Sequence, residues 1–139
     1  MNVNVNLVAV LLAALSSFVV GFIWYSKPLF GTAWSKMVRL DDTQQKKGMV
    51  KAMITAGVAS LLTAYVLAHV AYLSNSYFGN SFLQDSLSTA FWLWLGISAT
   101  TIVMHDAFEQ RRRKLTLMNL GNQLATMLVM GLIIGLLKP

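Results

Sequence analysis

Four polar side chains in an otherwise apolar C-terminal run are the strongest candidates for chemistry in this sequence. Asn119, Asn122, Gln123 and Thr126 recur at i, i+3, i+4 and i+7 and so share one face of a helix. In hydrocarbon a hydrogen-bonding group has to face protein or a water-filled space. The stripe is therefore either a set of interhelical hydrogen bonds, each worth ~0.6 kcal/mol, or the lining of a cavity or permeation path for an ion or polar solute. Counted from Lys114 at ~1.5 Å per residue, Gln123 lies ~13 Å in, close to the middle of a bilayer.

A second constellation is His105, Asp106 and Glu109, followed by Arg111, Arg112, Arg113 and Lys114. His105 and Glu109 are i,i+4 neighbours on a helix, as are Glu109 and Arg113. An imidazole with two carboxylates has the donors to hold a divalent cation or relay a proton. The alternative is a solvated helix end whose charges pair among themselves, and no metal is assigned. The four basic residues can bind anionic lipid headgroups at ~1 kcal/mol each, although a purely topological role also accounts for them. His69 cannot complete this group. It stands 18 residues beyond Lys51, ~27 Å along a helix axis, which places it near the opposite membrane surface beside Tyr65 and Tyr72.

Enzymatic signatures are absent: there is no His-Glu-x-x-His, no Gly-x-Ser-x-Gly and no phosphate-binding glycine loop. With no cysteine, thiolate metal sites, disulfides and a thiol nucleophile are excluded. No acidic residue stands at mid-span, as a small proton-coupled exporter would require. The residues call for no cofactor and for a protein that is not an enzyme.

The elements that position these groups are membrane spans. Hydrophobic residues make up 56% of the chain and charged residues 12%, too few to coat a soluble globule. Taking ~20 apolar residues per crossing, four spans are predicted, at about residues 7–25, 52–73, 87–104 and 115–137. Phe82 and Leu83 can lengthen the third. A cleaved signal peptide is not expected, because the first six residues carry no positive charge and no small-x-small site follows the apolar core.

The net charge is +6, but ten of the eleven Lys and Arg residues fall in the connectors after spans one and three. That asymmetry predicts a cytoplasmic side for both connectors and an outside location for both termini in a bacterial inner membrane. It also removes the charge as an argument for nucleic acid, leaving anionic lipid as the expected partner.

The crossing from oily to basic sequence is residues 21–34, where Trp24, Tyr25, Phe30 and Trp34 have the amphipathic rings of a headgroup belt. Pro28 cannot continue the first helix. In residues 32–40, Ala33, Trp34, Met37 and Val38 fall on one face and Ser35, Lys36 and Arg39 on the other, the pattern of a short interfacial helix. Asp42 with Gln45 resembles a capping box, so the second helix is predicted to begin near Thr43; the pair Asp41 and Asp42 reads as a helix start rather than a metal site. In span three, Trp92 and Trp94 lie on opposite sides of the helix, so one is expected to face lipid and the other the bundle.

Small residues repeat at spacing four in span one (Ala9, Ala13, Ser17, Gly21), span two (Ala52, Ala56, Ser60, Ala64, Ala68) and span four (Gly131, Gly135). Such stripes let helix backbones approach closely, either within a bundle or between subunits. Three on four helices favour self-association, most simply as a dimer, and leave room for a membrane protein partner.

Three stretches carry a family resemblance: Gly21-x-x-Trp24-Tyr25-Ser26-x-x-x-Phe30-Gly31-x-x-Trp34, Phe108-Glu109-x-Arg111, and Lys114-Leu115-x-Leu117-x-Asn119-x-Gly121. In these the chain resembles a bacterial family of small four-span membrane proteins catalogued as domain of unknown function 1761. The resemblance implies four spans and brings no activity. The fold class expected is all-α, a single-domain integral membrane four-helix bundle with a short interfacial helix after the first span. Two functions are weighed: a self-associating, non-enzymatic accessory subunit docking through residues 21–34, and a small channel or transporter lined by the span-four stripe.

Overall fold

The computed structural model describes residues 3–38 and 42–139, with only the backbone described over 42–47. Every element is helical: α1 Leu7–Trp24, α2 Gly31–Val38, α3 Asp42–Phe78, α4 Phe82–Leu93, a π-helical turn Trp94–Ala99, α5 Thr100–Phe108 and α6 Arg113–Leu137. Four helical stretches are long and apolar enough to cross a membrane: Leu7–Trp24, Gly48–Phe78, Phe82–Phe108 and Arg113–Leu137. The protein is thus an all-α, multi-pass membrane protein of four spans, with α2 as the short helix after the first.

Second and third spans run longer than their apolar cores. The 37-residue α3 is roughly 55 Å long, well beyond ~30 Å of hydrocarbon, so it projects out of the lipid. Its start at Asp42 agrees with the predicted beginning near Thr43. The Asp42–Gln45 cap, Arg39 and Asp41 fall outside the described side chains.

Around the bundle, α1 packs on α3 and α6, and α4 packs on the same two helices from the other side. The core is Val10, Ala13, Ala14, Ala64, Leu67, Ala68, Ala90, Met127, Met130 and Ile134. Outward-facing Leu11, Leu15, Val19, Ile54, Val58 and Leu62 are exposed as lipid would require. Trp92 is turned outward and Trp94 packs against the core, so the two indoles divide between lipid and bundle.

The two ends of the described chain meet. Asn6 caps α1 by accepting from the Val8 and Ala9 N–H groups, and its Nδ2 donates to the Leu137 and Lys138 carbonyls at 3.3 and 3.0 Å. At the opposite end, α1 finishes beside the start of α6, so Lys27, Lys36, Arg111, Arg112, Arg113 and Lys114 gather at one end of the bundle.

Small residues explain the close packing. A Cβ on Gly131 would stand 2.9 Å from Ala90 Cβ, and one on Gly135 would stand 2.8 Å from Leu83 Cα. Ala13 and Ala64 are fully buried between α1 and α3. The stripes are therefore occupied inside one chain at Ala9, Ala13, Ala64, Ala68, Gly131 and Gly135, whereas Ala52 and Ala56 on α3 are exposed. Gly21, with nothing within 4 Å of its would-be Cβ, is the exception on α1.

A polar knot closes the α3–α4 turn. Asp85, 3% exposed, accepts from Asn75 Nδ2 at 2.8 Å and from Asn80 Nδ2 at 3.0 Å, with its charge in the first turn of α4, where the helix dipole favours an anion. Asp85→Ala is expected to destabilise the bundle by roughly 1 kcal/mol, because it removes two hydrogen bonds to a charged acceptor while exposed Asn80 turns to water and half-buried Asn75 keeps its bond to the Asn80 carbonyl. Asp85→Asn should fall between, since an amide opposes one of the two donors with another donor. Unfolding in mixed detergent micelles measures both, and equal stability of all three proteins would remove the knot's role.

Candidate functional site

The residues between α1 and α2 form a compact joint. After the Tyr25 cap the chain reverses through Ser26–Phe30, closed by Phe30 N–H donating to the Trp24 carbonyl and Gly31 N–H to the Ser26 carbonyl. Gly31 is required by close approach rather than by φ: a Cβ there would lie 2.2 Å from the Tyr25 carbonyl oxygen. The rings then pair, Trp24 with Phe30 at 4.9 Å between centroids and Tyr25 with Trp34 at 5.4 Å. Helix α2 turns Ala33, Trp34, Met37 and Val38 inward and exposes Thr32, Ser35 and Lys36, as its amphipathic pattern predicts.

The joint is fastened to α6. Trp24 lies flat where Gly121 leaves room, with its Cζ2 only 2.8 Å from where a Cβ would stand. The Tyr25 hydroxyl donates to Asn119 Oδ1 at 3.1 Å. The aromatic residues read as a headgroup belt and docking motif are thus largely turned inward, tying α1, α2 and α6 together. Asn119 leaves the polar stripe to serve the joint.

The rest of the stripe faces a cleft of about 560 Å³ between α1, α3 and α6. It exists because the bundle is tight in one half and splayed in the other. In α3 the buried residues are Ala64, Leu67, Ala68 and Ala71, whereas Met49 to Ala56 are exposed as α3 leans away from α6. Among the described residues the parting of α1 and α3 is marked by Ser17 Oγ donating to Ser60 Oγ at 2.8 Å, with the Phe18 ring lying over Gly57 beside it. Below it the helices part, and the exposed side chains of Phe22 and Met53 form the lips of the opening. Asn122, Gln123 and Thr126 line the α6 wall, and Phe18, Met49, Ala52 and Ala56 complete the apolar sides. Above it, buried Ala13, Ala64, Leu67, Met127 and Met130 fill the space, so the cleft ends blindly at mid-bundle.

Asn122 Oδ1 is closed off behind the cleft wall with no hydrogen-bond partner, and Trp24 Nε1 is likewise unpartnered. In hydrocarbon such groups carry a penalty of several kcal/mol unless something bonds them. Among the described residues, no charged side chain lines the cleft. Its size and its apolar walls with a few neutral polar groups match small-molecule sites, which span roughly 300–1,000 Å³.

At the end of the third span the candidate charges do not converge. His105 is exposed, while buried Asp106 accepts from Thr116 Oγ1 at 2.6 Å and faces Arg111 Nε at 3.7 Å. Glu109 pairs with Arg111 rather than Arg113, because α5 stops at Phe108 and Gln110 takes a left-handed φ of 51° that turns the chain. The i,i+4 spacing thus never becomes a helical pair. No group of three His, Asp or Glu able to hold a metal occurs among the described residues. His69 sits near the other end, its Nδ1 3.2 Å from the Tyr65 carbonyl and its ring 4.4 Å from the Tyr65 ring.

Two features escape sequence reasoning, one at the cleft and one at the α3–α4 turn. Ser17 and Ser60 read there as small packing residues, and only their position at the parting of α1 and α3 makes them the inner rim. Asp85 reads as part of a loop outside the third span. Its signal is the pair Asn75 and Asn80, whose amides bracket one carboxylate.

No curated protein and no solved structure gives a significant match to the chain. The family described as "Protein of unknown function (DUF1761)" matches residues 8–135, a range that contains the joint, the α6 residues it is fastened to and the whole cleft. The protein belongs to the DUF1761 family.

Proposed function

We propose that this protein is a non-enzymatic accessory component of the bacterial inner membrane, and that the cleft between α1, α3 and α6 is its binding element. In this reading both termini lie outside, and the end bearing Lys27, Lys36 and Arg111 to Arg113 rests on the anionic lipid of the cytoplasmic leaflet. The cleft then opens sideways into that leaflet. The observation that carries the reading is a set of neutral polar groups inside hydrocarbon, with the Gln123 amide lining the cleft and making no side-chain hydrogen bond among the described residues, a state that calls for an occupant. The joint at residues 24–34 supports it by holding α1 and α6 rigidly while α3 stands apart.

Conduction of a polar solute is the second reading, favoured by the same stripe on α6. It requires Met127, Met130 and Leu67, each 3% exposed or less, to move out of the way.

The chain lacks cysteine, so single substitutions give clean probes. Ala56→Cys is expected to react slowly with a water-soluble maleimide in native membranes and at least ~10-fold faster once lipid and any bound molecule are stripped, because only a hydrated thiol ionises to the reactive thiolate. Equal rates in both states would refute an occupied cleft. Solute flux in liposomes that disappears in Asn122→Leu with Gln123→Leu would instead establish conduction.

A further inference from the structure

We infer that the molecule held in this cleft is an uncharged amphiphile that carries a neutral hydrogen-bonding head and enters from the lipid between Phe22 and Met53. The inference rests on the binding reading above and names the chemistry of the occupant.

Three features select it. First, the polar groups at the inner end and along α6, namely Ser60, Asn122, Gln123 and Thr126, are all neutral. An ionised headgroup drawn to that depth would be desolvated with no counter-charge to meet it. Second, the Gln123 amide lines the cleft and makes no side-chain hydrogen bond among the described residues, so a hydrogen-bonding group on the occupant is worth more there than bare hydrocarbon. Third, the mouth is lined by Phe22, Met49 and Met53, flexible thioethers and an aromatic ring that adapt to a hydrocarbon chain.

An ordinary phospholipid fits this geometry poorly, because its charged head belongs at the interface while the polar end of the cleft lies near mid-bundle. A second copy of the chain would meet an opening flanked by Gly21, Ala52 and Ala56, yet its helix would cover the mouth without reaching Gln123 on the inner wall.

Three photoactivatable probes with the same acyl chain and a diazirine near its end separate the cases: a monoacylglycerol, a fatty acid and an alkyltrimethylammonium. With full-length protein in lipid nanodiscs, the monoacylglycerol should label peptides containing Met49 or Met53 in a saturable manner, and the two charged probes should not. Asn122→Leu with Gln123→Leu should lower its apparent affinity about ten-fold, as the loss of one or two hydrogen bonds implies. Ala56→Phe, which fills the cleft from its lipid-facing side and disturbs no buried contact, should abolish saturable labelling while the melting temperature holds.

Unsaturable labelling that is equal for the three probes, or unchanged labelling in both variants, would overturn the assignment. So would oxidation of Ala56→Cys to a disulfide-linked dimer that excludes the probe. If Ala56→Cys is protected in native membranes and the monoacylglycerol still fails to label, the cleft is occupied but the chemistry assigned to the occupant is wrong. If Ala56→Cys is never protected, the binding reading itself falls.

Discussion

Gly31→Ala is expected to destabilise the protein by about 3 kcal/mol, near the upper end of what overpacking commonly does. The added methyl would sit 2.2 Å from the Tyr25 carbonyl oxygen and 2.8 Å from that of Ser26. Both are backbone atoms, so no side-chain rotation relieves the clash and the reversal between α1 and α2 has to open. Opening it separates Trp24 from Phe30 and Tyr25 from Trp34, and withdraws the Tyr25 hydroxyl from Asn119. By comparison, Tyr25→Phe removes only that last hydrogen bond and should lose ~0.6 kcal/mol. Denaturation in mixed micelles, followed by tryptophan fluorescence, gives both values. A Gly31→Ala protein as stable as Tyr25→Phe would mean that the joint does not hold the fold together.

Gly135→Leu is the other severe change. The nearest atom to the new Cβ is Leu83 Cα at 2.8 Å, again backbone, so α4 and α6 must move apart along their shared seam. We expect a loss of about 3 kcal/mol, not recovered by Leu83→Ala because the obstructing Cα remains. Gly21→Leu is the informative control. It belongs to a spacing-four stripe of the same kind but has nothing within 4 Å, so its stability should stay within about 0.5 kcal/mol of the parent. If Gly21→Leu were as damaging as Gly135→Leu, the splayed arrangement of α1 and α3 that creates the cleft would be incorrect.

Gly135 and Gly21 show how one sequence pattern can be recognised without saying which contact it makes. Spacing-four small residues mark a helix face that another helix approaches closely, since in lipid, packing rather than hydrophobicity brings helices together. The pattern carries no information about whether that helix comes from the same chain. The structure places α4 against Gly131 and Gly135, an internal partner, while Gly21 of the α1 stripe meets nothing within 4 Å.

Hydropathy and charge alone sufficed for the four spans, the all-α class, the interfacial helix and the gathering of basic residues at one end. The physical reason is that a bilayer imposes one-dimensional rules: about 20 apolar residues per crossing and backbone bonds closed within each helix. The fate of the polar stripe was decided only by packing. Asn119, Asn122 and Gln123 are equivalent along the chain, yet Asn119 bonds Tyr25, 94 residues away, while Asn122 is left facing a space that exists because α3 leans out. That lean comes from where Ala64 and Ala68 allow contact and Met49 and Met53 do not, and contacts between residues so far apart are settled only when the helices are assembled in three dimensions.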